Sequence, residues 1–281
     1  MAKRSLRRTF TTNFALSAGL LLTVIMVLMA LAAPLLAPHD PSVQKTALRL
    51  EGPTQGHPLG LDDLGRDVLS RILYGARVSL RVGFSVVLIA SAIGITLGAL
   101  AGYFGGKIDT LIMRVSDILL AFPGILLAIA FVAVLGPSLN NVIIALSTIG
   151  WVGYARLVRG QVLKVREIEF VTAAKALGAR SGRVILRHVL PNVINPVIVM
   201  ATLGLAGAIL AEASLSFLGL GVQPPTPSWG AMLSTGRQYL GLANHMAIFP
   251  GIAIMLAVMG LNFLGDGLID ALDPKYRKEM K

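Results

Sequence analysis

Long apolar runs separated by short polar stretches set the pattern of this 281-residue chain. Residues 9–38 hold no Asp, Glu, Lys or Arg. Crossing a bilayer as a helix takes about 20 mostly apolar residues, so residues 14–36 read as a first membrane span and 82–104 as a second. The charge-free run 118–155 is too long for one crossing and breaks at "GPSLNN", which gives spans at about 117–135 and 139–156. Further spans follow at about 193–217 and 246–264. One more uncharged run, 213–236, contains "GVQPPTPSWG". Its prolines would leave backbone groups facing lipid, so it reads as an extracytoplasmic loop that dips towards the bundle. The pattern predicts an all-α integral membrane protein of six transmembrane helices.

Composition agrees. Only 14% of residues are charged and 55% are hydrophobic, while glycine is abundant at 30 residues, as expected for closely packed membrane helices. There is no cysteine, which excludes disulfides and thiolate metal sites. A net charge of +11 carries no aromatic-interleaved basic domain with it, so a nucleic-acid partner is not expected. The charge instead orients the bundle. With six spans, 18 of the 25 Lys and Arg residues fall on the side that holds both termini, 103–116 and 156–187. That side is therefore the cytoplasm and the chain is a multi-pass protein of the cytoplasmic (inner) membrane, in contact with its lipid. The apolar run after the basic N-terminus exceeds the length of a signal-peptide core, so it reads as an uncleaved anchor.

Several local patterns carry expectations. Gly94, Gly98, Gly102 and Gly106 recur every four residues and predict a helix face that admits a close neighbour. Residues 65–80 alternate apolar and polar positions with helical period and read as an amphipathic elbow at the outer membrane surface. Glu212 interrupts the fifth span, near its outer end. An acid there calls for a cavity, a substrate path, a structural partner or access to water. The four histidines, 39, 57, 188 and 245, have no metal-ligand spacing, so no metal site is expected. "GYFGGK" lacks the spacing of a phosphate-cradling loop, and no catalytic constellation is evident. The chain is not expected to be an enzyme, and any ATP that drives it must be used by another chain.

The stretch "EFVTAAKALGARSGRVILRHVLPN", residues 169–192, is charged and helix-like yet lies between apolar spans. Phe170, Ala173, Ala174 and Leu177 follow i, i+3, i+4, i+7 and form one apolar stripe, with Gly178 placed to stop the helix. A second short helix is expected from Ser181, as N-cap, to Leu190, ended by Pro191. Such a hairpin suits a groove on a cytoplasmic partner. It equally suits an anionic lipid surface held by Arg180, Arg183 and Arg187.

"TAAKALGARSGRVILRHVLP" resembles the EAA motif of ABC-importer permeases. Thr172, Ala173 and Ala174 align with the triplet, Gly178 with its glycine, and Leu190 and Pro191 with its close. Thr172 stands in place of the motif's glutamate and His188 in place of its isoleucine. "HPLGLDDLGRDVLSRILYGARVSL", "SFLGLGVQPPTPSWGAML" and "LNFLGDGLIDALDP" resemble the C-type subunit of the dipeptide/oligopeptide/nickel importer permeases, with Leu61 where threonine is commoner. The resemblance runs over nearly the whole chain. It implies a type I ABC-importer-like permease, in which residues 1–76 are the tail, first span and outer loop. Residues 77–281 are then a core of five spans with a coupling loop at about 160–191. It also implies a homologous partner permease forming a heterodimer, two ABC ATPase subunits that use ATP, and an extracytoplasmic solute-binding protein. Phe170, Thr172, Ala173, Ala174, Leu177 and Gly178 would then be the ATPase-coupling residues, and Glu212 a candidate for the substrate path. Di- or oligopeptides are the expected cargo, with nickel chelates or glutathione-like compounds as alternatives. The rival class, a stand-alone ion-coupled transporter, calls for ionisable residues at mid-bilayer and inverted repeats. Glu212 is its single candidate residue and no repeat is evident.

Overall fold

In a bilayer every backbone N–H and C=O must find its partner within the protein, and each long apolar run here accordingly becomes a helix. The computed structural model describes residues 14–272, and the basic tails at 1–13 and 273–281 lie outside the described residues. Helix α1 (Phe14–Leu31) and the single turn α2 (Ala33–Leu36) share the first apolar run, divided where Pro34 starts a new turn. A loop with one 3₁₀ turn (Thr46–Leu48) leads to α3 (Val68–Phe104). Then come α4 (Gly106–Leu120), α5 (Gly124–Leu135) and α6 (Leu139–Val165). The hairpin α7 (Glu169–Ala176) and α8 (Ser181–Val184) passes through a π turn (Ile185–Val189) into α9 (Leu190–Phe217). Helices α10 (Trp229–Arg237) and α11 (His245–Leu272) complete the order. No strand occurs among the described residues.

Five of these helices are long and apolar enough to cross a membrane, and α4 with α5 supplies a sixth crossing only as a bent pair. The continuous span expected at 117–135 is not formed. In its place α4 and α5 are bent by 86° to one another. Pro123 has no N–H to donate and disfavours helix at the residue before it, so the chain turns at 121–123. At 12 residues, α5 reaches about 18 Å, short of the ~30 Å hydrocarbon core. Two Arg–Asp pairs, Arg159 with Asp109 and Arg156 with Asp117, fasten α4 to α6.

The amphipathic elbow is also absent as a separate element. α3 runs unbroken for 37 residues, about 55 Å, through residues 65–80 and past position 76. Its two early glycines do not break it because each admits a neighbour from far along the chain: Gly75 the Trp229 indole, and Gly83 the Ile209 side chain. Asp67 caps the helix by accepting from Ser70 N, as N-cap acids do.

Around these elements the core is built on close approach. Gly94, Gly98 and Gly102 of α3 face Tyr154, Ala155, Val158 and Val162 of α6, where a side chain in place of hydrogen would collide. Gly106, the fourth of the predicted stripe, takes no part. The helix ends at Gly105, and the space around Gly106 is open. The same device joins α1 to α11, through Gly19, Gly260 and Gly267. Helix α6 lies at the centre, with half of its membrane window buried against 22% in α1 and α11. Outward-facing Leu28, Leu88 and Val134 leave a lipid-compatible surface.

Candidate coupling hairpin and intramembrane acid

The hairpin forms where α6 runs out at Arg166. Helix α7 is one-sided. Val171 is fully buried, in the same cluster as Val162 and Val165 of α6 and Val184 and Val189 beyond the turn. Burying a valine of this kind stabilises by roughly 1.5–3 kcal/mol, so three such residues fix the hairpin to the ends of α6 and α9. The other side is bare. Phe170 is 42% and Leu177 89% exposed, Thr172 and Ala173 are exposed, and Ala174 is half-buried. Four of the six predicted coupling residues, Phe170, Ala173, Ala174 and Leu177, thus share one outward stripe at helical spacing, and Thr172 is exposed on another side of the helix. Lys175 points away from it, with its Nζ 5.1 Å from the centre of the Tyr103 ring at the end of α3.

Gly178 holds the turn at φ +82, and the space where a side-chain carbon would stand is empty to 4 Å. Its N–H donates to Lys175 O and that of Ala179 to Ala174 O, closing α7 in the manner of a left-handed cap. Arg180, rather than Ser181, occupies the N-cap of α8 and provides no side-chain cap. Nor does Pro191 end the second helix. The π turn brings Leu190 N to Ile185 O, and Pro191 then sits in the first turn of α9, where an N–H is not required. The hairpin is therefore continuous with the fifth span. Arg180, Arg183 and Arg187 lie around it, all three exposed.

Glu212 is sealed inside the bundle, at 0% exposure, rather than reached by water from the end of its helix. Its Oε2 accepts from Ser79 Oγ of α3 at 3.2 Å, and its Oε1 from Ser216 Oγ one turn on at 2.7 Å. The nearby cavity of about 430 Å³, between α3, α5, α6 and α9, is lined instead by apolar and small residues such as Val86, Ile149, Tyr154, Met200 and Gly207. The loop expected at 213–236 does tuck inward. It ends in α10, whose Trp229 donates from Nε1 to Ile72 O at 2.9 Å, and whose Gly230 packs on the backbone of Ala213.

Sequence reasoning missed what loop 37–67 assembles. Asp62 accepts from Arg66 Nε at 2.7 Å and faces Arg71 Nε at 3.4 Å. His39 and His57 stack and converge on Asp67. The signal was the dense charged motif "HPLGLDDLGRDVLSR"; the spacings 39, 57 and 67 resemble no ligand pattern.

Comparison with known proteins now has this geometry to meet. Residues 94–278 match the family described as binding-protein-dependent transport system inner membrane component, and residues 4–53 match the N-terminal transmembrane domain of oligopeptide transport permease C. The chain is 52% identical to the dipeptide transport system permease protein of Alkalihalophilus pseudofirmus, over 92% of this chain and 85% of that one. It is 46% identical to the glutathione transport system permease protein of Pectobacterium atrosepticum, over 96% and 90%. An inward-facing structure of the MetNI methionine ABC transporter superposes with a TM-score of 0.58 and 19% identity, covering 72% of this chain and 96% of that one. That likeness gives the fold of an ABC-importer permease. The chain belongs to the binding-protein-dependent transport system inner membrane component family and is a multi-pass membrane permease of the ABC-importer type.

Proposed function

We propose that this chain is one permease half of an ATP-driven dipeptide importer, and that its α7–α8 hairpin is the seat of a separate ATPase subunit. One observation carries the reading. A hairpin locked to two spanning helices by Val171, Val184 and Val189 leaves Phe170 and Leu177 exposed. A surface of that kind is completed by a partner's groove, and because the hairpin is continuous with α9, force applied to it moves a span as a rigid body. Thr172, Ala173, Ala174 and Gly178 complete the coupling set.

The rest of the assembly follows from this role. A homologous permease supplies the other half of the path, two ATPase subunits hydrolyse ATP, and a solute-binding protein delivers cargo at the face holding loop 37–67. Both termini lie on the cytoplasmic side with the hairpin, a reading supported by the distribution of Lys and Arg. Residues 77–281 form the transport core. Dipeptide cargo is favoured by the 52% identity to a dipeptide permease, and glutathione is the second reading, favoured by the 46% identity to a glutathione permease. Glu212, hydrogen-bonded and sealed, ties α3 to α9 rather than touching cargo.

Uptake by the reconstituted complex tests this. Labelled dipeptide is expected to accumulate only with ATP and all partners present, and glutathione uptake in its place would select the second reading. Stoichiometric ATP binding by the isolated chain would overturn the division of labour.

A further inference from the structure

We infer that the outer loop carries a divalent transition-metal site formed by His39, His57 and Asp67, of the class that takes imidazole and carboxylate ligands, such as Zn²⁺. These residues come from the start, middle and end of loop 37–67, and the spacing alone would not have joined them. One ligand atom from each lies within 4.8 Å of the other two. His57 Nδ1 stands 2.9 Å and His39 Nδ1 3.8 Å from Asp67 Oδ1. Two ligand atoms bound to zinc at about 2.1 Å are roughly 3.0 Å apart at a right angle and roughly 3.4 Å apart in a tetrahedron. The observed separations straddle those values.

The surroundings are those of a ligand site. Asp67 is all but inaccessible, its side chain 1% exposed, and its second oxygen is already used. Oδ2 accepts from Ser70 N and Ser70 Oγ, both at 2.7 Å, which aims Oδ1 at the two rings. The His39 N–H donates to the same Ser70 Oγ at 3.1 Å, binding the first ligand's backbone into the frame of the third. This is the outer-shell support that orients metal ligands. His39 Nδ1 is buried and has no hydrogen-bond partner. The rings stack with centroids 4.4 Å apart, and only the His57 nitrogen reaches hydrogen-bonding distance of the carboxylate. An ion between them accepts both lone pairs. Competing cations are engaged elsewhere: Arg66 pairs with Asp62 and Asp63, and Arg71 with Asp62 while donating to Pro41 O. Two imidazoles disfavour Ca²⁺ and Mg²⁺, which seek oxygen. Bound there, the ion would clasp residue 39, just past α2, to residue 67 at the cap of α3.

The test uses the full chain, free of any histidine tag, in nanodiscs after chelator treatment. Zn²⁺ alone is titrated calorimetrically, and Co²⁺ serves as a spectroscopic stand-in. One equivalent of Zn²⁺ is expected, with Co²⁺ giving low-symmetry visible bands that Zn²⁺ abolishes. His39→Phe, which keeps the stacked ring, is expected to bind at least tenfold more weakly, and His188→Ala to bind like the parent. The absence of stoichiometric binding by the parent overturns the inference whatever the variants do. So does parental affinity in His39→Phe, or loss of the site in His188→Ala.

Discussion

The two ends of α3 are finished in opposite ways. At its start, Asp62, Asp63 and Asp67 of loop 37–67 are paired within the chain, and His39 Nδ1 is the buried side-chain atom of the loop left without a hydrogen bond. Asp62 Oδ1 accepts the N–H groups of Leu64 and Arg66, each at 2.9 Å, its Oδ2 accepts from Arg66 Nε, Leu61 is 1% exposed, and Leu61 O meets His245 Nε2 at 2.9 Å. At its other end, the hairpin keeps its apolar Phe170 and Leu177 outside. A polar surface segment whose charges pair within the chain draws its stability from the chain itself, whereas apolar side chains exposed on a rigid base are what the proposed docking of a partner would cover. The contrast also predicts where mutations are felt: as lost folding in the loop, and as lost coupling in the hairpin.

The largest effect expected is all-or-none and tests whether the two regions face opposite compartments. The chain has no cysteine, so Thr54→Cys in the loop and Ser181→Cys in the hairpin, both at exposed positions, can be labelled without background. The first is expected to react with an impermeant thiol reagent only from outside and the second only from the cytoplasm. Labelling of both from one face would remove the comparison altogether.

Next in size is Asp62→Ala. It leaves Arg71, 6% exposed, buried without its acid and takes from Arg66 its closer one, leaving Asp63, and breaking a buried pair costs about 3–5 kcal/mol. Thermal denaturation in nanodiscs should show a large loss of stability and membrane yield should fall. A melting curve like the parent's would mean that the loop's network is ornamental.

Hairpin variants should do the reverse. Ala174→Arg and Leu177→Asp alter residues that are half-buried or exposed, and surface changes usually stay within about 0.5 kcal/mol. Both are expected to melt like the parent yet reduce ATP-dependent uptake by the assembled complex more than about tenfold, since a charge buried against a partner lacks a counter-charge. Full uptake with Ala174→Arg would return the hairpin to the alternative of lying on anionic lipid.

The hairpin was legible in the sequence because its information is local: the stripe spacing and the glycine after it are enough to specify a helix and its stop. What was not legible depends on residues far apart. Nothing near Gly75 reveals that Trp229 will fill its space and carry α3 straight through the expected elbow. Likewise His39, His57 and Asp67 meet only once the loop folds back on α3. Glu212 stood out as an acid in a span, but Ser79, the partner that seals it, lies 133 positions away. The bend at Pro123 is a different failure. The proline stands in the sequence, and a reading by the length of the charge-free run passes over it.

Gly178→Val separates conformational strain from collision. Nothing lies within 4 Å of the added carbon, so the cost comes from holding a β-branched residue at φ +82, about 1–2 kcal/mol for the left-handed region. Gly98 offers the contrast, because a side chain there would strike Ala155 and Val158. Gly178→Val is expected to lower the melting temperature slightly and uptake partially, and Gly178→Asn, which tolerates positive φ, to recover both. Failure of Asn to recover them would assign Gly178 a contact with the partner.

The smallest effect belongs to Lys175→Ala, which shares α7 with the proposed coupling stripe but not its direction. Lys175 lies over the Tyr103 ring at 5.1 Å, and an exposed cation–π contact contributes about 0.5–1 kcal/mol. Its removal takes nothing from the outward stripe and leaves Val171, the buried peg of the helix, in place. Stability is expected to fall by no more than that amount, with uptake and ATP hydrolysis by the assembled complex unchanged. The variant is therefore the control that divides α7 by face. If Lys175→Ala abolished uptake as Ala174→Arg is expected to do, the partner would grip the whole circumference of α7, and the one-sided docking surface inferred from Phe170 and Leu177 would be wrong.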